Sequence, residues 1–224
     1  MKKVLMALVI ILSSAGAYAQ TAISADGVIE STSGGFMFPD GTLQMTAAAR
    51  GAPVEDTGQT GCWQSDGTPR SCAGTGEDGE YLAGVAWPTP RLTDNGDGTV
   101  TDNLTGLIWL QDAECFGAKD WQPALDQIAL FNGGSTACTN YTAAAFTDWR
   151  LPNAKEILSL FDYGEDDSLP FGHPFIDVVQ HYWSSTTWKA DPTWAYNSNH
   201  GKGIIHMGPK IGDPVWVWPV RGGQ

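Results

Sequence analysis

The sequence predicts an α+β fold, on three observations. Two short stretches combine helical apolar spacing with helix-start signals. Several short β-branched runs are separated by Asp-Gly and Asn-Gly turns. Residues 182–223 are rich in Trp, Gly and Asn and carry no helical period.

The elements follow in chain order. Lys2 and Lys3 precede an apolar run from Val4 to Leu12, and Ala17-Tyr18-Ala19 follows. This is the pattern of a secretory leader over residues 1–19, with cleavage before Gln20, and the run is too short to span a bilayer. The expectation is an exported, soluble protein without a membrane span, located in the periplasm, at the cell surface or outside the cell. Residues 20–50 are small and polar around Phe36-Met-Phe-Pro-Asp-Gly-Thr-Leu-Gln-Met-Thr46. Asp40-Gly41 between two alternating runs signals a β-hairpin. That stretch resembles an element in the stalks of trimeric bacterial surface and tail-fibre-like proteins, which implies a homotrimer through this segment. Residues 51–59 read as a linker, and 60–224 as the main domain.

Cys62 and Cys72 flank Asp66-Gly67, so a second hairpin is expected between them. Asp94 to Trp109 holds two Gly-rich turns among β-branched runs, which predicts a three-stranded meander. Asp120 is placed to cap a helix that buries Trp121, Ala124, Leu125, Ile128 and Phe131 and ends at Gly133-Gly134. Pro123 falls in its first turn, where the missing N–H costs nothing. Asn153 with Glu156 forms a capping-box pattern for a second helix, expected to bury Ile157, Leu158, Leu160 and Phe161.

Composition narrows the function. The formal net charge is −13, and loss of Lys2 and Lys3 makes it more negative. Such a field repels phosphate and sulfate backbones, which argues against nucleic acid and polyanionic glycans. Four cysteines in an exported chain read as two disulfides, and local loop closure favours Cys62–Cys72 and Cys115–Cys138. There is no G-x-S-x-G, H-E-x-x-H, phosphate-cradling loop or dinucleotide fingerprint. No catalytic residue and no cofactor is therefore assigned. Asp94, Asp97 and Asp102 are weak calcium candidates: on an EF-hand template Asn95, Asp97 and Gly98 fit, but Thr93 holds the first ligand position and Leu104 the place of the bidentate Glu. His200 and His206 could share a metal across one strand turn, although loop and surface histidines are much commoner. Asp191 and Asp213 are the only carboxylates suggested for a glycosidase-like pair, and turn roles beside Pro192 and Pro214 account for both.

Several blocks, taken in order, carry a family resemblance. They are Asp94–Trp109, Asp148-Trp-Arg-Leu-Pro-Asn153 with Glu156, Gly172-His-Pro-Phe175, Tyr182-Trp-Ser-Ser-Thr186, Trp194-Ala195 and Val217-Trp-Pro-Val-Arg-Gly-Gly223. From about Thr60 to the end the chain resembles the Lcl C-terminal domain family of exported bacterial proteins. The resemblance implies a C-type-lectin-like domain, with two helices flanking a small twisted antiparallel sheet and long loops near the C-terminus. It also implies binding rather than catalysis. The Glu-Pro-Asn, Gln-Pro-Asp and Trp-Asn-Asp signatures of calcium-dependent sugar binding are missing from this sequence.

The expected function is adhesin-like or receptor-like recognition of a glycan or protein ligand. Flat rings and adaptable amides suit such a surface. Trp188 and Tyr196 are expected to stack on the ligand, and Asn197, Asn199 and His200 to hydrogen-bond it, with Lys189 and Asp191 at the rim. Trp183, Trp194 and Trp218 are expected in the core. The alternatives are a structural component of a surface filament or envelope and, more remotely, an extracellular hydrolase.

Overall fold

The computed structural model describes residues 54–142 and 146–222, together with the backbone of four short N-terminal strands. The chain divides into two units, Met1–Ala52 and Pro53–Gln224. In the first, β1 (Thr21–Ile23) pairs with β2 (Ile29–Ser31), and β3 (Phe36–Met37) pairs antiparallel with β4 (Leu43–Gln44). The β3–β4 pair brackets Asp40-Gly41, as the hairpin pattern requires. The leader, the turn itself and the residues on which trimerisation was expected lie outside the described residues.

The second unit is sheet-rich, with three helices among the described residues and several small antiparallel sheets. Residues 54–59, expected as linker, are held by this unit. The Asp56 amide donates to Val85 O, the Tyr163 amide to Thr57 O, and the Trp87 indole to Asp56 O. β5 (Cys62–Trp63) and β6 (Pro69–Arg70) form the hairpin closed by the Cys62–Cys72 disulfide. Gly67 takes φ +84° at its turn, a conformation that L side chains resist. A short helix not anticipated from sequence, α1 (Asp78–Tyr81), follows.

The meander is present as β7 (Leu92–Asp94), β8 (Thr99–Asp102) and β9 (Ile108–Leu110). A late strand, β15 (Val220–Arg221), adds to its β9 edge, so the order is β15-β9-β8-β7. Buried Arg91 fixes the meander to its surroundings. Its guanidinium donates to both Asp102 oxygens at 2.8 and 3.0 Å and to the Ser159 carbonyl at 2.6 Å, and it lies over the Trp87 ring. Burial pushes the Asp102 carboxyl up, but hydrogen bonds from Arg91 and Thr105 outweigh it, so Asp102 sits below the usual carboxylate range.

β10 (Ala118–Lys119) leads into α2 (Trp121–Asn132), which buries Ala124, Ile128 and Phe131 and keeps Trp121 and Leu125 half-buried. Asp120 stands at the N-cap by its backbone but does not cap with its side chain. Its carboxylate accepts the Gly212 amide instead, at 3.0 Å. α3 (Ala154–Leu158) shows the full capping box: Asn153 accepts from Lys155 and Glu156 amides, and Glu156 reaches back to the Asn153 amide. The helix stops at Leu158, which points outward, and the turn after it carries Leu160 and Phe161 into the core. Cys115 and Cys138 are bridged, as their spacing predicts.

The C-terminal third builds a second sheet, β11 (Trp183–Thr187), β12 (Trp194–Asn199) and β13 (Ile204–Pro209), with a 3-10 turn His200–Lys202 between β12 and β13. β14 (Val215–Trp216) then pairs with β10. Trp218 is central to the core. Its indole donates to Leu110 O at 2.7 Å, and its ring meets Phe175, Tyr182 and Trp109 at 4.7, 4.8 and 5.2 Å. Trp183 is likewise sealed, whereas Trp194 is half-buried. No helix among the described residues is long and apolar enough to cross a membrane.

Candidate functional site

Strand alternation decides where the predicted binding residues stand. In β12 and β13, Asn197 lies opposite His206 and Tyr196 opposite Met207. Directly opposed residues share a face and successive residues do not, so Tyr196 and Asn197 look to opposite sides of the sheet. Trp188 meets Trp194 edge-on at 6.2 Å, beside the β11–β12 turn. In that turn half-buried Asp191 accepts the Thr193 hydroxyl and amide, which hold its carboxyl below the usual range, and Lys189 is exposed. Asn199 and His200 stand at the other end of β12, about 17 Å along the strand from Trp194 at ~3.3 Å per residue. The seven residues do not form one surface.

His200 is the clearest correction. It is 2% exposed and sits among the rings of Phe161, Tyr182 and Trp218 at 5.0, 5.5 and 5.9 Å. Neither ring nitrogen has a hydrogen-bond partner, and burial pushes its pKa down to about 3. A neutral imidazole sealed in an aromatic cage cannot reach a ligand or share a metal with exposed His206.

The calcium candidates are also spoken for. Asp94 accepts the Gly96 amide and the Gln111 side chain, Asp97 accepts from Thr99, and Asp102 is paired with Arg91. The one cluster of metal-ligand types among the described residues is Asp112, Cys115 and Cys138, whose sulfurs form a disulfide.

A cleft of about 450 Å³ opens on the Asn197 face. Its floor is Asn197 and its flank His206, both set by the β12–β13 register. Asp213 and Pro214 reach over it from the segment before β14, while Gln180 and His181 close it from the segment before β11. Trp216 belongs to the same wall, because its amide donates to His181 O and the strand is anchored on Ala118.

Several polar groups here lack an internal partner. The Asn197 side chain is 3% exposed, yet its Oδ1 accepts no hydrogen bond. Nature rarely leaves such a buried acceptor bare, since its desolvation costs roughly 1–3 kcal/mol. His181 Nδ1 lies 3.0 Å from Ser198 O, and a carbonyl only accepts. The proton is thereby assigned to Nδ1 and the neutral ring's lone pair to Nε2. Asp213 is exposed and makes no ion pair among the described residues.

Gly208 shapes the floor. A Cβ placed there would stand 3.2 Å from Asn197 Nδ2 and 3.3 Å from Asp213 Oδ2. The amide and carboxylate therefore bracket the space that glycine leaves open. Of these residues, sequence reasoning singled out only Asn197 as ligand-binding; His206 and Asp213 entered it in metal and hydrolase roles, and Gln180, His181 and Trp216 were given no binding role. The alternation Trp194-Ala-Tyr-Asn-Ser-Asn199 was the available signal, because it separates Asn197 from Tyr196.

Comparison with known families identifies the fold's family, not its site. The family model of the Lcl C-terminal domain matches residues 98–221, more than half of the chain, from β8 through both longer helices to β15. The matched span begins later than the resemblance drawn from Thr60, leaving the Cys62–Cys72 hairpin outside it. No curated protein matches the chain.

Proposed function

The chain belongs to the Lcl C-terminal domain family, and from that premise we propose a non-catalytic, adhesin-like or receptor-like module that recognises a glycan or protein ligand through the Asn197 cleft. The observation that carries this reading is the buried Asn197 side chain, whose Oδ1 accepts no hydrogen bond and whose Nδ2 faces the unpaired carboxylate of Asp213 across Gly208. Groups of this kind are the specificity-giving minority in binding sites. The finer fold assignment is part of the same proposal: a C-type-lectin-like domain, supported by two short helices, small antiparallel sheets and a long C-terminal region. Export is supported by the two disulfides and by the leader pattern.

A glycan and protein array probed with the wild type, Asn197→Ala and Trp188→Ala tests the site. Signals lost only in Asn197→Ala support the cleft. Signals lost only in Trp188→Ala return the site to the β11–β12 turn and end this proposal.

One observation favours a second reading, a structural subunit that packs on its own kind. Phe171 and Ile211 are 91% and 82% exposed, apolar area that a neighbouring subunit would cover. Sedimentation of the full chain decides this: growth into open polymers that Phe171→Ser and Ile211→Ser abolish would establish it.

A further inference from the structure

We infer that Asp112 guards the Cys115–Cys138 disulfide against reduction, because its carboxylate opposes the thiolate that Cys138 must become when the bond opens. Asp112 Oδ2 lies 3.7 Å from Cys138 Sγ, and the carboxylate and both sulfurs stand within 4.8 Å of one another. The contact is held from both sides. The Ala113 amide donates to Ile176 O and the Ile176 amide to Gln111 O, while the Glu114 amide occupies the other Asp112 oxygen at 3.0 Å. On the cysteine side, the Tyr141 amide donates to Cys138 O and the Thr142 amide to Asp97 O. Among the described residues neither Asp112 nor neighbouring Glu114 makes an ion pair, so no cation offsets the charge beside the sulfurs.

Opening the bridge requires a nucleophile to attack one sulfur while the other leaves with the electron pair. Cys138 is 4% exposed and Cys115 is half-buried, so an outside reagent reaches Cys115 Sγ and Cys138 departs as the thiolate. A bond forms from the reagent to Cys115 Sγ, the S–S bond breaks, and its electrons come to rest 3.7 Å from a carboxylate. Like charge at that distance, in partly desolvated surroundings, disfavours the thiolate, and a poorer leaving group departs more slowly. The Cys62–Cys72 bridge is the contrast. It too joins a buried cysteine to a half-buried one, yet the neighbour of Cys62 Sγ is the Thr75 hydroxyl at 3.8 Å. A hydroxyl can donate to a thiolate and so favours it. Among the described residues no carboxylate joins this pair of sulfurs as Asp112 joins the other. A reductant therefore opens the Cys62–Cys72 hairpin first, and the segment after α2 stays tied.

The test is reduction of the full, oxidised chain without denaturant, by dithiothreitol and separately by an uncharged phosphine, with each bridge followed by alkylation and peptide mass spectrometry. With dithiothreitol, the reagent's thiolate attacks Cys115, its second sulfur then closes the reagent's ring, and the two cysteine thiolates take protons from water. With the phosphine, a P–S bond forms and water converts it to the phosphine oxide, leaving two thiols. The wild type should release Cys62–Cys72 first with either reagent. Asp112→Asn keeps an oxygen for the Glu114 amide and removes the charge. It should speed release of Cys115–Cys138 about tenfold or more with both reagents and leave Cys62–Cys72 unchanged. Asp112→Ala, which supplies no amide donor to the sulfur, should speed it too.

An unchanged Cys115–Cys138 rate in Asp112→Asn overturns the inference, as does an unchanged rate in Asp112→Ala. Equal acceleration of both bridges overturns it as well, because that marks a loosened fold rather than a lost charge. Acceleration with dithiothreitol but not with the phosphine does the same, since Asp112 would then repel the incoming thiolate and not the departing one. Release of Cys115–Cys138 before Cys62–Cys72 in the wild type also sinks it.

Discussion

Replacing His200 with leucine should change how the protein's stability depends on pH. The imidazole is buried among three aromatic rings, with no partner for either nitrogen. Its pKa falls from an unfolded value of about 6.5 to about 3 in the fold, because burial disfavours the charged form. Between those values the unfolded chain binds a proton that the folded chain does not. Stability therefore falls as pH drops below about 6.5, at roughly 1.4 kcal/mol per pH unit once titration is under way. Summed from pH 6 to pH 4, the loss is about 2–3 kcal/mol. Other groups act in the same range. Burial lowers the His173 pKa as well, with the same sign. Burial raises that of half-buried Glu55 to about 6, so the folded state holds the extra proton and the sign is opposite. Asp102, held below the carboxylate range, loses its contribution only at more acid pH.

The His200→Leu comparison cancels these shared effects. Urea unfolding of both proteins, disulfides intact, at pH 7, 6, 5 and 4 supplies the difference curve. The leucine protein carries a constant packing change at every pH, so only the slope of the difference matters. A gap that closes or reverses by about 2–3 kcal/mol on going to pH 4 is expected. A gap independent of pH would show that His200 is not a sealed neutral imidazole, and the argument against its ligand role would fall with it.

Two further outcomes follow from the same packing. Arg91→Met leaves the fully buried Asp102 carboxylate without its counter-ion and should destabilise the fold by about 3–5 kcal/mol in denaturant unfolding. Arg91→Met combined with Asp102→Leu should recover much of that, and a double variant as weak as the single one would show that the pair is not the cause. Gly98→Ala should cost about 1 kcal/mol or more, since φ is +84° and a Cβ there would run into the Asn140 carbonyl; an unchanged midpoint would contradict the geometry.

The parts of this fold that were legible in sequence are those written locally. Asp66-Gly67 and Asp97-Gly98 announce their turns through residues that tolerate positive φ, and the capping box needs only Asn153 and Glu156 three positions apart. Both disulfides close short loops, so spacing alone suggested them. The binding residues were less legible because sidedness depends on register. Trp188, Tyr196 and His200 are near in sequence, but alternation along β12 and the 3-10 turn after it send them to different places. The cleft joins residues around 180, 197, 206 and 213, and their meeting follows from strand pairing that no local pattern encodes. Asp120 shows the same limit on a smaller scale: its position as a cap was readable, whereas its preference for the Gly212 amide was not.

Trp218 and the strand that follows it lie beside β9, more than a hundred residues earlier, and the indole is fastened to Leu110 O. The β9 edge of the meander stays uncovered until β15 has been made and has paired with it. Closure is then a late, non-local event, which by topology makes folding slow.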